Sequence, residues 1–218
     1  LNQSAAMSSV SKFIRLFLAN PAGAAGLLKA LLRGTFTVFY YRLVQPRVRI
    51  AFPFFMYETF RVSGPGKVTI GKSCAIYPNI FDGVSIVTLD PNAEVHIGAD
   101  CSLGGVSIRC RERIEIGDRI LAGHSLVQDC MLAEGPTAQA HEAMPREMLS
   151  RAIRIGRNVW VGAQSCILCG TTIGNDSVIS LGTVCYGAGI EEYQLASGNP
   201  SIRPVPISKL IKLQDMRR

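Results

Sequence analysis

The sequence predicts an all-β chain wound into a triangular solenoid of short parallel strands. Two observations carry that prediction. From Ile155 to Val184 an aliphatic residue returns at every sixth position: Ile155, Val161, Ile167, Ile173 and Ile179. A helix repeats near 3.6 residues and a strand near 2, so an unbroken period of six belongs to neither as one long element. It suits a wall made of a short strand and a turn, with three hexapeptides closing one coil and Ile173 lying on Ile155, Ile179 on Val161. Glycines supply the second observation. Gly156, Gly162 and Gly174 each follow a core aliphatic, where the chain turns and a left-handed backbone is expected. Weaker copies of the pattern occur in VTIGKSCAIY from Val68, VHIGADCSL from Val95 and IEIGDRILAG from Ile114.

Taken in order, the chain opens with LNQSAA before Met7, which reads as an expression remnant or a mis-assigned start, outside the fold. From Ser11 to about Tyr41 helical spacing of Phe13, Leu16, Phe17 and then Leu27, Leu28, Leu31, Leu32 predicts two short helices, divided at Asn20-Pro21. The apolar run between Arg15 and Lys29 falls short of the roughly 20 residues a membrane span needs and contains Pro21. No signal peptide with a cleavage site follows. Residues 1–60 carry Lys12, Arg15, Lys29, Arg33, Arg42, Arg47 and Arg49 against Glu58 alone. That pattern suits a helical cap on the open end of the solenoid, and equally a surface segment on anionic lipid.

The solenoid is expected over 61–195, beginning near Val62. Its phase breaks once, over 129–152, in CMLAEGPTAQAHEAMPREMLSR, a loop leaving the wall; long loops in compact folds usually carry function. Residues 196–218 form a Pro-containing, basic C-terminal arm.

Composition sets outer limits. With 218 residues the chain fills one domain with appendages, and a hydrophobic fraction of 48% points to an oligomer interface or a membrane surface. The formal charge of +7 calls for an anionic partner. Nucleic acid is not that partner, because the cations are not interleaved with aromatics along the solenoid. Seven cysteines, an odd number without paired spacing, read as reduced thiols; the C-x-x-C at Cys166 and Cys169 has no second pair to complete a zinc site.

In IGRNVWVGA, the hexapeptides in phase, the loop just before them and the closing ASGNP, the chain resembles the hexapeptide-repeat O-acetyltransferases. The nearest subgroup is that of sugar and polysaccharide acetyltransferases of the maltose and galactoside type. The resemblance implies a left-handed parallel β-helix, a homotrimer with each active site between two subunits, acetyl-CoA as co-substrate and a saccharide hydroxyl as acceptor. Such work, in polysaccharide or envelope biosynthesis, implies a cytoplasmic protein, peripheral at the inner membrane if residues 1–60 bind lipid. Asn158, Trp160 and Gly162 match the family's NVWIG segment, Gly182 and Thr183 its Gly-Ser pair, and Arg203 the arginine after its GNP turn; in the family these surround coenzyme A.

A sugar hydroxyl is a poor nucleophile at neutral pH, so a base with a pKa near 6.5 must take its proton as the oxygen attacks the thioester. The family's base is a loop histidine in a D-x-D-x-H segment. Here that segment departs from the pattern: Asp129 is present, and Ala133 or Glu134 stands where histidine is expected. The family's lysine after the last valines is also missing, with Tyr186 and Gly187 there. Three histidines remain. His96 alternates with Val95 and Ile97 and points outward; His124 sits in an AGHS turn just before the loop; His141 lies inside it. His141 and His124 are the candidate bases. Without either, the chain reads as a scaffold that binds CoA or a partner without turnover. A more remote alternative is a γ-class carbonic anhydrase, since Asp129 follows His124 by five positions where that family places a second histidine.

Overall fold

The computed structural model describes residues 20–78, 83–132 and 148–207. Its core is a left-handed β-helix of three flat walls. The first wall stacks seven strands: Val48–Ile50, Lys67–Ile70, Glu94–Ile97, Arg113–Ile116, Ile153–Ile155, Thr172–Ile173 and Gly189–Ile190. The second runs from Phe54–Met56 through Cys74–Tyr77, Ser102–Gly104, Leu121–Gly123, Trp160–Val161 and Val178–Ile179 to Gln194–Ser197. The third runs from Phe60–Ser63 through Val84–Thr88, Ser107–Cys110, Leu126–Gln128 and Cys166–Leu168 to Val184–Cys185. Ile155 pairs with Ile173 and Val161 with Ile179, as the six-residue period requires. These aliphatics, with Ile167, are buried in one continuous core that runs from Tyr41 to Ala196.

The glycines after the core aliphatics do a different job from the one expected. Gly156, Gly162 and Gly174 are not left-handed; the positive φ falls two residues later, at Asn158 (54°), Gln164 (60°) and Asp176 (55°). What excludes a side chain at the glycines is the next coil. A Cβ on Gly162 would lie 2.7 Å from the amide nitrogen of Leu181, and one on Gly174 would lie 2.5 Å from that of Glu192.

The domain boundaries also shift. The coil begins at Val48, well before residue 61, because Val48/Ile50, Phe54/Met56 and Phe60/Val62 already alternate inward over short strands. They lack the Ile-Gly corner that marks later coils, so the hexapeptide pattern misses them. At the other end Ile202–Pro206 turns back antiparallel onto Gln194–Ser197 and covers the last edge of the second wall.

In place of a second short helix there is one helix of 24 residues, α1 (Pro21–Val44). Asn20-Pro21 starts it: Asn20 Oδ1 accepts a bond from the Gly23 amide at 2.9 Å, and proline occupies the first turn, where no amide hydrogen is needed. Residues 11–19, where the first helix is expected, lie outside the described residues. One face of α1 closes the first coil. Gly34 sits so close that a Cβ would overlap the Phe54 carbonyl. Thr37 Oγ1 donates to the Arg33 carbonyl at 2.8 Å and lies 3.2 Å from Met56 Sδ, and the Tyr41 hydroxyl accepts from the Val62 amide at 3.0 Å. Among the described residues no helix is long and apolar enough to cross a membrane.

Candidate active site

A cavity of about 720 Å³ lies along the outer face of the second wall. From Ser102–Gly104 onward the inward residue of each coil (Leu103, Ala122, Val161, Ile179, Ala196) lies between two positions that line the outside of that wall. The first outward column reads Ser102, Leu121, Trp160, Val178 and Leu195 in consecutive pairing. It forms a ridge on which Trp160 is 55% exposed. The second outward column begins at Tyr77, pairs with Gly104 and then Gly123, and continues two residues beyond Trp160 at Gly162. Three glycines in file leave a trench beside the ridge. Packing does not demand the first two, since a Cβ on Gly104 or Gly123 would meet nothing closer than 3.7 Å and 4.0 Å respectively. Tyr77 closes the end nearest α1, stacked on Tyr57 with ring centroids 5.1 Å apart. His124, Ala163 and Leu181, at the corner between the second and third walls, form the far bank.

His124 is half-buried there. Its amide donates to the Gly104 carbonyl and its own carbonyl accepts from the Gln164 amide, both at 2.6 Å, so the backbone carrying the imidazole is held by the coils on either side. Among the described residues lining the trench it is the one imidazole. Ser102 and Ser180 supply hydroxyls, and among the described residues no Asp, Glu, Lys or Arg lines it.

Of the residues singled out in the sequence, Trp160, Gly162 and His124 therefore meet in one groove. Asn158 does not line it: the side chain is a rung of the corner between first and second walls, Nδ2 donating to Asp176 Oδ1 at 2.6 Å. Gly182, at φ 66°, lies next to Leu181 with open space where a Cβ would project. The Thr183 side chain is buried inside the coil and cannot touch a ligand in the groove. Arg203 lies in the returning strand Ile202–Pro206, and its side chain is outside the described residues, as are His141 and Glu134. His96 is exposed on the first wall.

Asp129 anchors the inserted loop. Its fully buried carboxylate accepts from the amides of Arg111, Glu112 and Arg113 at 2.7 to 2.9 Å and from Cys110 Sγ at 3.3 Å. Immediately beyond it, Cys130–Leu132 and Met148–Ser150 pair as an antiparallel stem. The stem leaves at the corner between third and first walls, which in a triangular coil is opposite the second wall. A shared metal on His124 and Asp129, as the carbonic anhydrase reading needs, is ruled out by this arrangement: one faces the trench and the other is committed to backbone amides beneath the opposite corner. Among the described residues no three His, Cys, Asp or Glu side chains stand together to hold a metal. All seven cysteines are free, and burial pushes the Cys169 thiol up from its ordinary value, which favours the inert form at C-x-x-C.

No protein-family model and no curated protein matches the chain. Solved structures do match. A hexapeptide transferase family protein from Anaplasma phagocytophilum aligns with a TM-score of 0.50 at 15% identity, over 78% of this chain and 86% of that one. The polySia specific acetyltransferase NeuO aligns with a TM-score of 0.50 at 20% identity, over 73% and 68%. A hexapeptide-repeat containing acetyltransferase from Vibrio cholerae O1 biovar eltor, complexed with acetyl coenzyme A, aligns with a TM-score of 0.43 at 23% identity; there the match covers 51% of this chain and 58% of that one. With the first two the chain shares its fold, the hexapeptide-repeat left-handed β-helix.

Proposed function

We propose that this chain is an acyl-CoA-dependent O-acetyltransferase that acts on a saccharide hydroxyl in the cytoplasm, as a homotrimer, with the second-wall trench as its site. The observation that carries the proposal is the placement of His124 across the trench from the Trp160 ridge. The trench fits the donor's pantetheine arm, a slender chain: Gly104 and Gly123 leave room that packing did not require, and Trp160 and Leu121 offer an apolar flank. The described residues of its lining are uncharged and no match for phosphates, which leaves those to residues beyond it, with Arg203 at the edge of the same wall as the candidate. When bound, acetyl-CoA supplies an activated acyl group. The chain's own part is to hold the acceptor hydroxyl at an imidazole nitrogen of His124, which takes the proton as the oxygen attacks.

The loop that carries His141 departs on the side away from this trench, which supports a role for that histidine at a neighbouring subunit's groove. The test measures thiol release from acetyl-CoA with a panel of saccharides, alongside CoA affinity by calorimetry. Alanine at His124 should lower turnover by about 10² to 10⁴ and leave CoA affinity nearly unchanged. The same loss from His141→Ala, with His124→Ala silent, would move the base to the loop. CoA binding by the wild type without turnover on any acceptor would favour the scaffold reading.

A further inference from the structure

Helix α1 is apolar on two opposite faces, and the coil accounts for one of them. At about 100° per residue, Gly34, Thr37 and Tyr41 share the face on the coil. Leu28, Leu32, Phe36, Phe39 and Leu43 share the opposite face, a stripe about 22 Å long at 1.5 Å per residue. Large apolar side chains stand in solvent along it: Leu32 is 62% exposed, Phe36 71%, Phe39 65% and Leu43 73%. Isolated exposed apolar residues are ordinary, but a contiguous stripe of this size marks an interaction surface.

The surrounding charge identifies the partner. Lys29 and Arg33 flank the stripe on one side and Arg42 on the other, all exposed. Arg33 also donates to the Tyr57 carbonyl at 3.2 Å, which holds its guanidinium between helix and coil. No acidic residue precedes Glu58 in the sequence, whereas on the solenoid's first wall the cations alternate with Glu94 and Glu115 in a ladder of ion pairs. An apolar stripe edged by cations and backed by no acid complements an anionic bilayer surface, where the stripe enters the acyl boundary and the cations meet the headgroups.

We propose that α1 seats the protein on anionic phospholipid through Leu28, Leu32, Phe36, Phe39 and Leu43, with Lys29 and Arg42 on headgroups. Because the opposite face closes the first coil, the β-helix stands on the bilayer by its capped end. The proposal does not depend on acyl transfer, and its failure would leave the reading of the trench intact.

The experiment is co-sedimentation of the full chain with vesicles of phosphatidylcholine alone or mixed with phosphatidylglycerol, with the oligomeric state measured by light scattering. Binding is expected to the phosphatidylglycerol vesicles at low salt and to decline as salt screens the headgroups. Each polar substitution in the triple variant Leu32→Ser, Phe36→Ser, Leu43→Ser should weaken partitioning about tenfold. Lys29→Gln with Arg42→Gln should weaken binding to phosphatidylglycerol vesicles about fivefold per cation. These positions are exposed, so unfolding midpoints near wild type are expected and serve as the control. Absence of binding at low salt would overturn the proposal, as would undiminished binding by a folded triple variant. A triple variant that breaks a larger assembly while vesicle binding persists would assign the stripe to contacts between copies.

Discussion

Gly123 and Gly162 occupy the same outward column of the second wall one coil apart, yet substitution by alanine should move stability in opposite directions. At Gly162 the new Cβ would lie 2.7 Å from the Leu181 amide nitrogen and 2.9 Å from the Ser180 carbonyl carbon. Both are backbone atoms of the next coil, so relief requires the coils to separate, and overpacking of this kind costs about 1–3 kcal/mol. At Gly123 the nearest atom is the Ala163 Cβ at 4.0 Å, and φ there is not positive. Alanine then meets no strain and restricts the unfolded chain, which should stabilise by about 0.4–1 kcal/mol. In a chain of this size roughly 1 kcal/mol corresponds to 2–4 °C in melting temperature, so the two variants should differ by about 3–16 °C. The assay is thermal unfolding followed by circular dichroism at fixed protein concentration. A third variant, Gly123→Leu, fills the trench and should raise the KM for acetyl-CoA while the fold persists. Equal destabilisation by Gly123→Ala and Gly162→Ala would refute the distinction between a glycine required by packing and one that opens a groove.

Two further outcomes follow from buried groups. Asp129→Ala leaves the amides of Arg111, Glu112 and Arg113 without their acceptor and should cost about 3 kcal/mol or more, read as a fall in the denaturant midpoint. Burial pushes the Cys185 thiol up to about 11. The folded chain then holds this proton more tightly than the unfolded one, so its contribution is complete below pH 9 and is lost as pH rises towards 11. Urea unfolding across that window should show stability falling, and Cys185→Ala should flatten the slope.

The coil was legible because its rule is local and repeated. Ile155, Val161, Ile167, Ile173 and Ile179 show their period without reference to anything distant, and the structure pairs them as that period demands. The first coil was illegible for the converse reason: Val48, Phe54 and Phe60 are inward residues whose corners lack the Ile-Gly signal. The start of α1 was legible in Asn20-Pro21, where Asn20 caps the helix by accepting from the Gly23 amide. The run from Pro21 to Val44 persists as one helix because the face from Gly34 to Tyr41 packs on the coil.

The site was harder to read, because the residues that form the trench are conspicuous for what they lack. The motif centred on Trp160 drew attention to side chains, and of the six residues carried over with it Trp160 and Gly162 line the groove. Yet the sequence holds the trench openly in SLG, LAG and WVG, at Ser102–Gly104, Leu121–Gly123 and Trp160–Gly162. Each places a core residue between an outward residue and an outward glycine. One such triplet is explained by close packing, as at Gly162. Gly104 and Gly123 are not explained that way, and a position where packing tolerates a side chain but the chain has none is where a ligand's atoms have room to lie. His124 follows the middle triplet directly, so the coil that opens the trench also brings an imidazole to its bank.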